Sequence, residues 1–166
     1  MKDSDARHDA LTGLLNLRAM NEAAASFFAG TVARRAVVAL WDVDGLHAIN
    51  SSHGHAAGDQ VIRCVADRLR ATIGAVGVIG RCGGDEFAVL LPDMDRGKGK
   101  PLLEAAWRAI RASLGSLSLQ VTASCGAVST VQVTNWTDLL TRADMALYKA
   151  KREHLGVHFP PDDGSA

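Results

Sequence analysis

Gly83-Gly84 followed at once by Asp85-Glu86 sets two acids beside two residues that carry no side chain. Ile79 precedes the pair and the apolar run Phe87-Ala88-Val89-Leu90-Leu91 follows it, so the spacing predicts a tight hairpin over about 76–91. Glycine reaches positive φ without penalty, which a tight turn can use. Asp85 and Glu86 then stand at or just past the tip. Bare glycines let a bulky polyanion approach the backbone, and carboxylates hold the divalent cation that neutralises it. The pattern points to metal and phosphate chemistry.

A second acidic pair closes the most apolar stretch of the chain. Ala36-Val37-Val38-Ala39-Leu40-Trp41 reads as a strand covered on both faces, and it ends in Asp42-Val43-Asp44. Residues two apart on a strand share a face, so both carboxylates point to one side. If this strand neighbours the hairpin, acids from separate elements meet at one sheet edge. Such a set can clamp two magnesium ions around a triphosphate; the plainer reading leaves each acid solvating a strand end. Between the two acidic pairs, Asn50 offers donors and an acceptor and Asp59 two acceptors, which suits a guanine edge. The same residues also suit a turn asparagine and a helix first-turn acid favoured by the dipole.

The elements that must position these groups follow from periodicity. Asn16 to Phe28 is alanine-rich and helical, and a helix from about Ala56 to Ile73 sets Val61, Val65 and Leu69 on one side. Leu102, Leu103, Ala106, Trp107, Ile110 and Leu114 mark another helix. Leu119 to Ala127 alternates as a strand with one core face. A last helix, about Trp136 to Arg152, turns Leu139, Leu140, Ala143 and Leu147 inward, with Thr134 or Asn135 as its cap. Gly156 and Pro160-Pro161 are expected to end the ordered structure. Mixed helices and strands in this order predict an α+β sandwich on one mainly antiparallel sheet.

Composition narrows the function classes. The 166 residues suit one domain, with 48% hydrophobic and 22% charged residues. Zero net charge removes the electrostatic footprint of a nucleic-acid-binding domain. Cys64, Cys82 and Cys125 lack metal-ligand spacing and read as reduced, buried thiols of a reducing compartment. The charged start has no apolar segment of a secretory signal, and Ala36–Trp41 is far too short to span a bilayer.

Taken together, Asp42-x-Asp44, Asn50, Gly54-His55-x-x-Gly58-Asp59 and Gly83-Gly84-Asp85-Glu86-Phe87 resemble the GGDEF domain family of diguanylate cyclases. Asp9-x-Leu11-Thr12-Gly13-Leu14-x-Asn16 is similar to that family's N-terminal signature. Ala143-Asp144-x-Ala146-Leu147-Tyr148-x-Ala150-Lys151 is similar to its C-terminal helix. The likeness runs over roughly residues 8–152. It implies a single domain over 1–166, with a core of about 8–158 and a loose tail at 159–166. The implied fold is the palm-like nucleotidyl-cyclase fold, a mainly antiparallel sheet of about five strands flanked by helices. The implied reaction condenses two GTP into cyclic di-GMP with release of two pyrophosphates, across a transient homodimer in a bacterial cytoplasm, with Mg2+ or Mn2+ as cofactor. Carried onto matching positions, Asp42 and Asp85 are metal ligands, helped by the Val43 carbonyl. Asn50 and Asp59 read guanine, with Leu46 and His47 beside the substrate. Gly83 and Gly84 admit the triphosphate, Lys151 contacts its phosphates, and Glu86 helps deprotonate the ribose 3′-hydroxyl.

Several positions depart from the family pattern. His47 stands where lysine is usual, Leu155 where a phosphate-binding arginine is usual, Leu17 where an arginine follows the asparagine, and Gly45 where an aromatic residue is common. Arg152 is a partial substitute from the adjacent turn. These changes imply weak GTP binding with an intact metal site. Gly74-Ala75-Val76-Gly77 occupies the place of the Arg-x-x-Asp motif that binds product, so no product inhibition is expected there. The resemblance also implies a sensory partner domain not contained in these residues. The competing reading is a degenerate cyclase fold that binds GTP as a regulatory module. Mixed cyclic GMP-AMP synthesis is a minor one, since Asp59 keeps the guanine preference.

Overall fold

Why Ala36–Trp41 is apolar throughout becomes plain from its place at the middle of the sheet. The computed structural model describes residues 6–30, 33–130 and 135–162. In chain order its elements are β1 (Leu15–Asn16), α1 (Leu17–Phe28), β2 (Ala36–Asp44), α2 (Leu46–His53), α3 (His55–Ile73), β3 (Val78–Arg81), β4 (Glu86–Pro92), α4 (Arg96–Gly115), β5 (Thr122–Ser129), α5 (Trp136–Arg152) and β6 (Val157–His158). The sheet order is β1-β3-β4-β2-β5-β6. β2 is antiparallel to both neighbours, β4 and β5, and the two edge strands pair in parallel.

Helices cover both faces of β2. Val37, Ala39 and Trp41 pack with Val65, Leu69 and Ile110 of α3 and α4. Ala36 and Val38 pack with Met20, Phe27 and Leu139 of α1 and α5. Each large side chain fully buried in this way contributes about 1.5–3 kcal/mol relative to exposure. Helix α5 lies directly on β5. A Cβ on Gly126 would come within 2.0 Å of Leu147 N and 2.5 Å of Ala143 O, so only glycine permits this approach.

Local signals explain the helix ends. Asn16 Oδ1 accepts from Ala19 N–H at 2.9 Å to start α1, and Asn135 Oδ1 accepts from Asp138 N–H at 2.9 Å to start α5. Asn135 is therefore the cap of α5; Thr134 lies outside the described residues. Gly45 and Gly54 take φ of 88° and 83°, turning the chain from β2 into α2 and from α2 into α3.

Three expectations need correction. The sheet has six strands rather than about five, because β1 and β6 are two-residue pairings too short to show alternation. The glycine pair closes a four-residue hairpin loop without positive φ, which among the described glycines is confined to Gly13, Gly30, Gly45, Gly54 and Gly156. The expected tail from residue 159 starts with a core residue. Phe159 is 3% exposed, and Arg96 Nη2 donates to its carbonyl at 3.1 Å. Residues 163–166 lie outside the described residues.

Candidate active site

β4 runs beside β2 with Glu86 opposite Asp42, so the hairpin loop falls against the end of the central strand. Val43 N–H donates to the Asp85 carbonyl at 3.0 Å, fastening the loop there. Asp42, Asp85 and Glu86, from separate elements, thus meet at one edge. The Asp42 side chain is 13% exposed. Burial pushes its carboxyl up to about 6, and the charges of Asp85 and Asp44 add to that, against the opposing pull of Lys151.

Lys151, in the last turn of α5, reaches into this cluster. Its Nζ donates to Asp42 Oδ2 and lies 3.3 Å from Asp44 Oδ1. Burial opposes the ammonium, but Asp42 and Asp44 together raise its pKa, so it stays charged. Asp44 Oδ2 also accepts from Ser124 Oγ at 2.7 Å and Thr122 Oγ1 at 3.2 Å.

Asp42 Oδ1 is buried and has no hydrogen-bond partner. An orphaned carboxylate oxygen beside a second carboxylate is a fitting place for a divalent cation. Among the described residues no group of three His, Cys, Asp or Glu side chains is arranged to hold a metal. Asp42, Asp85 and the Val43 carbonyl are the protein groups that this edge offers to a divalent cation.

The glycine pair leaves the loop bare. A Cβ on Gly84 would meet nothing within 4 Å, and one on Gly83 would meet the Glu86 side chain, nearest at Oε2 2.8 Å away. Arg81 braces the loop from beneath, donating to the Gly84 carbonyl at 2.6 Å and to both Asp9 oxygens at 3.2 Å. Asp9 in turn accepts from the Thr12 backbone and hydroxyl at 2.9 and 2.7 Å. The N-terminal motif thus supports the loop from a distance of 72 residues in sequence. Neither Asp9 nor Arg81 carries a sequence signal for this pairing.

Burial opposes ionisation of Asp9, but its bonds from Thr12 and Arg81 hold its pKa below the ordinary 3.8. A lowered carboxylate pKa contributes stability above the unfolded value and loses it as pH falls through the folded one. Asp9→Asn is therefore expected to cost about 2 kcal/mol at pH 7 in urea unfolding, with the gap closing as pH drops below 3.8. A gap that persists unchanged at pH 2–3 would show that charge is not its source.

The remaining site residues occupy the corner made by α2 and α3. Asn50 is half-buried on α2 and its Oδ1 is buried without a partner. A Cβ on Gly58 would fall 1.8 Å from that oxygen, so glycine is what lets the Asn50 amide lie against α3. Asp59 follows directly in the chain and is exposed. Asn50 is a helical residue rather than a turn asparagine, because α2 occupies 46–53. Leu46 packs against the core and His47 is exposed. Arg152 is exposed, bonded to Glu153 at 3.0 Å and set over the Tyr148 ring, and Leu155 is 45% exposed. A cavity of about 370 Å3 opens beside Glu86, between Leu17, Leu40, Trp136, Leu140 and Asp144; the sequence offers no sign of it.

The molecule is thus a layered α+β domain that sets acids from the central strand and a bare glycine loop together at one sheet edge. The family described as "Diguanylate cyclase, GGDEF domain" matches residues 6–156. The chain belongs to the GGDEF domain family. It is 37% identical over 153 residues to diguanylate cyclase DgcP of Pseudomonas aeruginosa, covering 87% of this chain and 22% of that protein. An uncharacterized 19.3 kDa protein of Streptomyces ambofaciens is 36% identical, covering 89% of this chain and 80% of that one. Diguanylate cyclase VdcA of Vibrio cholerae is 32% identical, covering 89% of this chain and 44% of that protein. The chain thus spans less than half the length of the two named cyclases. Among solved structures, the GGDEF domain of DgcB from Caulobacter crescentus in complex with c-di-GMP superposes with a TM-score of 0.81 at 28% identity, covering 93% of this chain and 96% of that one. Among the described residues no helix is long and apolar enough to cross a membrane.

Proposed function

We propose that this chain is a diguanylate cyclase that condenses two GTP into cyclic di-GMP, each nucleotide held by one protomer of a transient homodimer in the bacterial cytoplasm. The observation that carries the reading is the meeting of Asp42, Asp85 and Lys151, from three elements, under a loop with open space above Gly84. Asp42, Asp85 and the Val43 carbonyl are the ligands for Mg2+, which when bound offsets charge on the triphosphate. Gly83 and Gly84 let that triphosphate lie close to the backbone, and Lys151 takes phosphate oxygens. Asn50 and Asp59 read guanine from the α2–α3 corner.

Glu86 accepts the proton of the ribose 3′-hydroxyl as its oxygen bonds to the α-phosphorus of the partner nucleotide. The bond from that phosphorus to its bridging oxygen breaks, and pyrophosphate leaves with the electron pair. Repeating the step in the other direction closes the ring. With Gly74-Ala75-Val76-Gly77 in place of a charged motif, the reading includes no product inhibition there.

Incubation with GTP and Mg2+ followed by chromatography is the test, and cyclic di-GMP is the expected product. No dinucleotide at high protein concentration, with measurable GTP affinity, would favour a regulatory GTP-binding module instead. The exposed Leu155 and the engagement of Arg152 with Glu153 support that second reading.

Gly58→Ala tests the guanine corner. One added methyl must displace the Asn50 amide, so GTP affinity is expected to fall on the order of tenfold, a loss of about 1.4 kcal/mol, with ATP affinity unchanged. Equal losses for both nucleotides would remove Asn50 from base recognition.

A further inference from the structure

Two carboxylates share one ammonium in this site, and they are held differently. Asp44 stands opposite Thr122 in the β2–β5 register and Asp42 opposite Ser124. Both hydroxyls donate to Asp44 Oδ2, leaving Oδ1 for Lys151 at 3.3 Å. Asp42 has no hydroxyl support: Lys151 takes Oδ2, and Oδ1 is buried without a partner. Asp44 is therefore a carboxylate fixed by the sheet. Asp42 is bonded through its side chain by the lysine alone among the described residues.

We propose that Asp44 is a positioning residue for Lys151, a fixed post that keeps the ammonium in the site when Asp42 turns its oxygens to a divalent cation. In the resting site the Lys151 ammonium stands in for that cation against Asp42. The two positive charges compete for Asp42, whereas the hydroxyl-anchored Asp44 serves Lys151 only. A lysine released from Asp42 rides on a flexible four-carbon stem and loses its direction unless a second anion holds it. Held at Asp44, it stays within reach of the phosphates of an arriving nucleotide. This inference rests on the reading of Lys151 as a phosphate contact.

The test uses four forms of the full chain: wild type, Asp44→Asn, Lys151→Met and the double variant. Mn2+ alone is titrated by electron paramagnetic resonance, without nucleotide. Affinity for a GTP analogue with a methylene in the α,β-bridge, which cannot react, is then measured with saturating Mn2+. Lys151→Met is expected to bind Mn2+ about tenfold more tightly, because the competing ammonium is gone. Asp44→Asn and Lys151→Met are each expected to weaken the analogue about tenfold, and the double variant no further than Lys151→Met. Ser124→Ala, which keeps every charge, is expected to give part of the Asp44→Asn loss.

Losses that multiply in the double variant would show that Asp44 acts through the sheet and overturn the inference. So would Mn2+ affinity in Lys151→Met no higher than in wild type, or analogue affinity indifferent to Lys151. A wild type that binds the analogue with this pattern yet forms no cyclic dinucleotide from GTP would sink the cyclase reading and leave the exchange standing.

Discussion

Asp85→Ala is expected to lower cyclic di-GMP formation by about 10³-fold while leaving the melting temperature unchanged or higher. The alanine keeps the backbone carbonyl that accepts from Val43 N–H at 3.0 Å, so the loop stays fastened to β2. What disappears is one carboxylate of the candidate metal set. Asp42 then carries its charge more easily, since burial and next the charges of Asp85 and Asp44 are what push it up to about 6 against Lys151. An ionised Asp42 costs the fold stability, and removing Asp85 reduces that cost. Turnover at saturating GTP and Mg2+, set beside a thermal melt, checks both halves. Activity within tenfold of wild type would take Asp85 out of the metal site. Lost activity with a lowered melting temperature would make the loss structural.

Asp85 belongs to the part of the site that sequence reading reaches. Asp42 and Asp44 lie two apart at the end of an unmistakable buried strand, and the hairpin follows as the next strand pair, so their convergence with Asp85 is legible from pattern. The same holds for α5, whose apolar spacing gives 136–152 in both sequence and structure. Groups joined across the fold are another matter. Lys151 and Asp42 are 109 residues apart, and Arg81 and Asp9 are 72 apart; no periodicity links such pairs. Short elements also escape: β1 and β6 have two residues each, and α2 is rich in serine and histidine with Ile49 as its one buried residue. The glycine pair misleads in an instructive way. A Gly-Gly turn suggests left-handed backbone, yet the four-residue loop closes without it, and what the glycines supply is uncovered backbone.

Gly126→Ala is expected to lower the melting temperature by roughly 10 °C, corresponding to about 3 kcal/mol or more of overpacking in a domain of this size. The single added carbon would lie 2.0 Å from Leu147 N and 2.5 Å from Ala143 O. Both are backbone atoms of a helix, so no rotamer change can relieve the contact. Either β5 bows or α5 lifts, and Leu139, Ala143, Ala146, Leu147 and Ala150 all lose packing as it does. β5 is paired on both sides, opposite Leu40 of β2 and His158 of β6 at this very residue, so the helix is the element free to move. Lys151 moves with it. A displacement near 1 Å at a positioned group costs on the order of 10²-fold in rate, so turnover should fall by about that much at temperatures where the variant is still folded. Circular dichroism melts paired with single-temperature turnover separate the two effects. A wild-type melting temperature would mean that α5 has room to spare over β5, and the close approach would then not be what sets the ammonium against Asp42. A lowered melting temperature with unimpaired turnover in the folded protein would leave the packing correct and detach the position of α5 from catalysis.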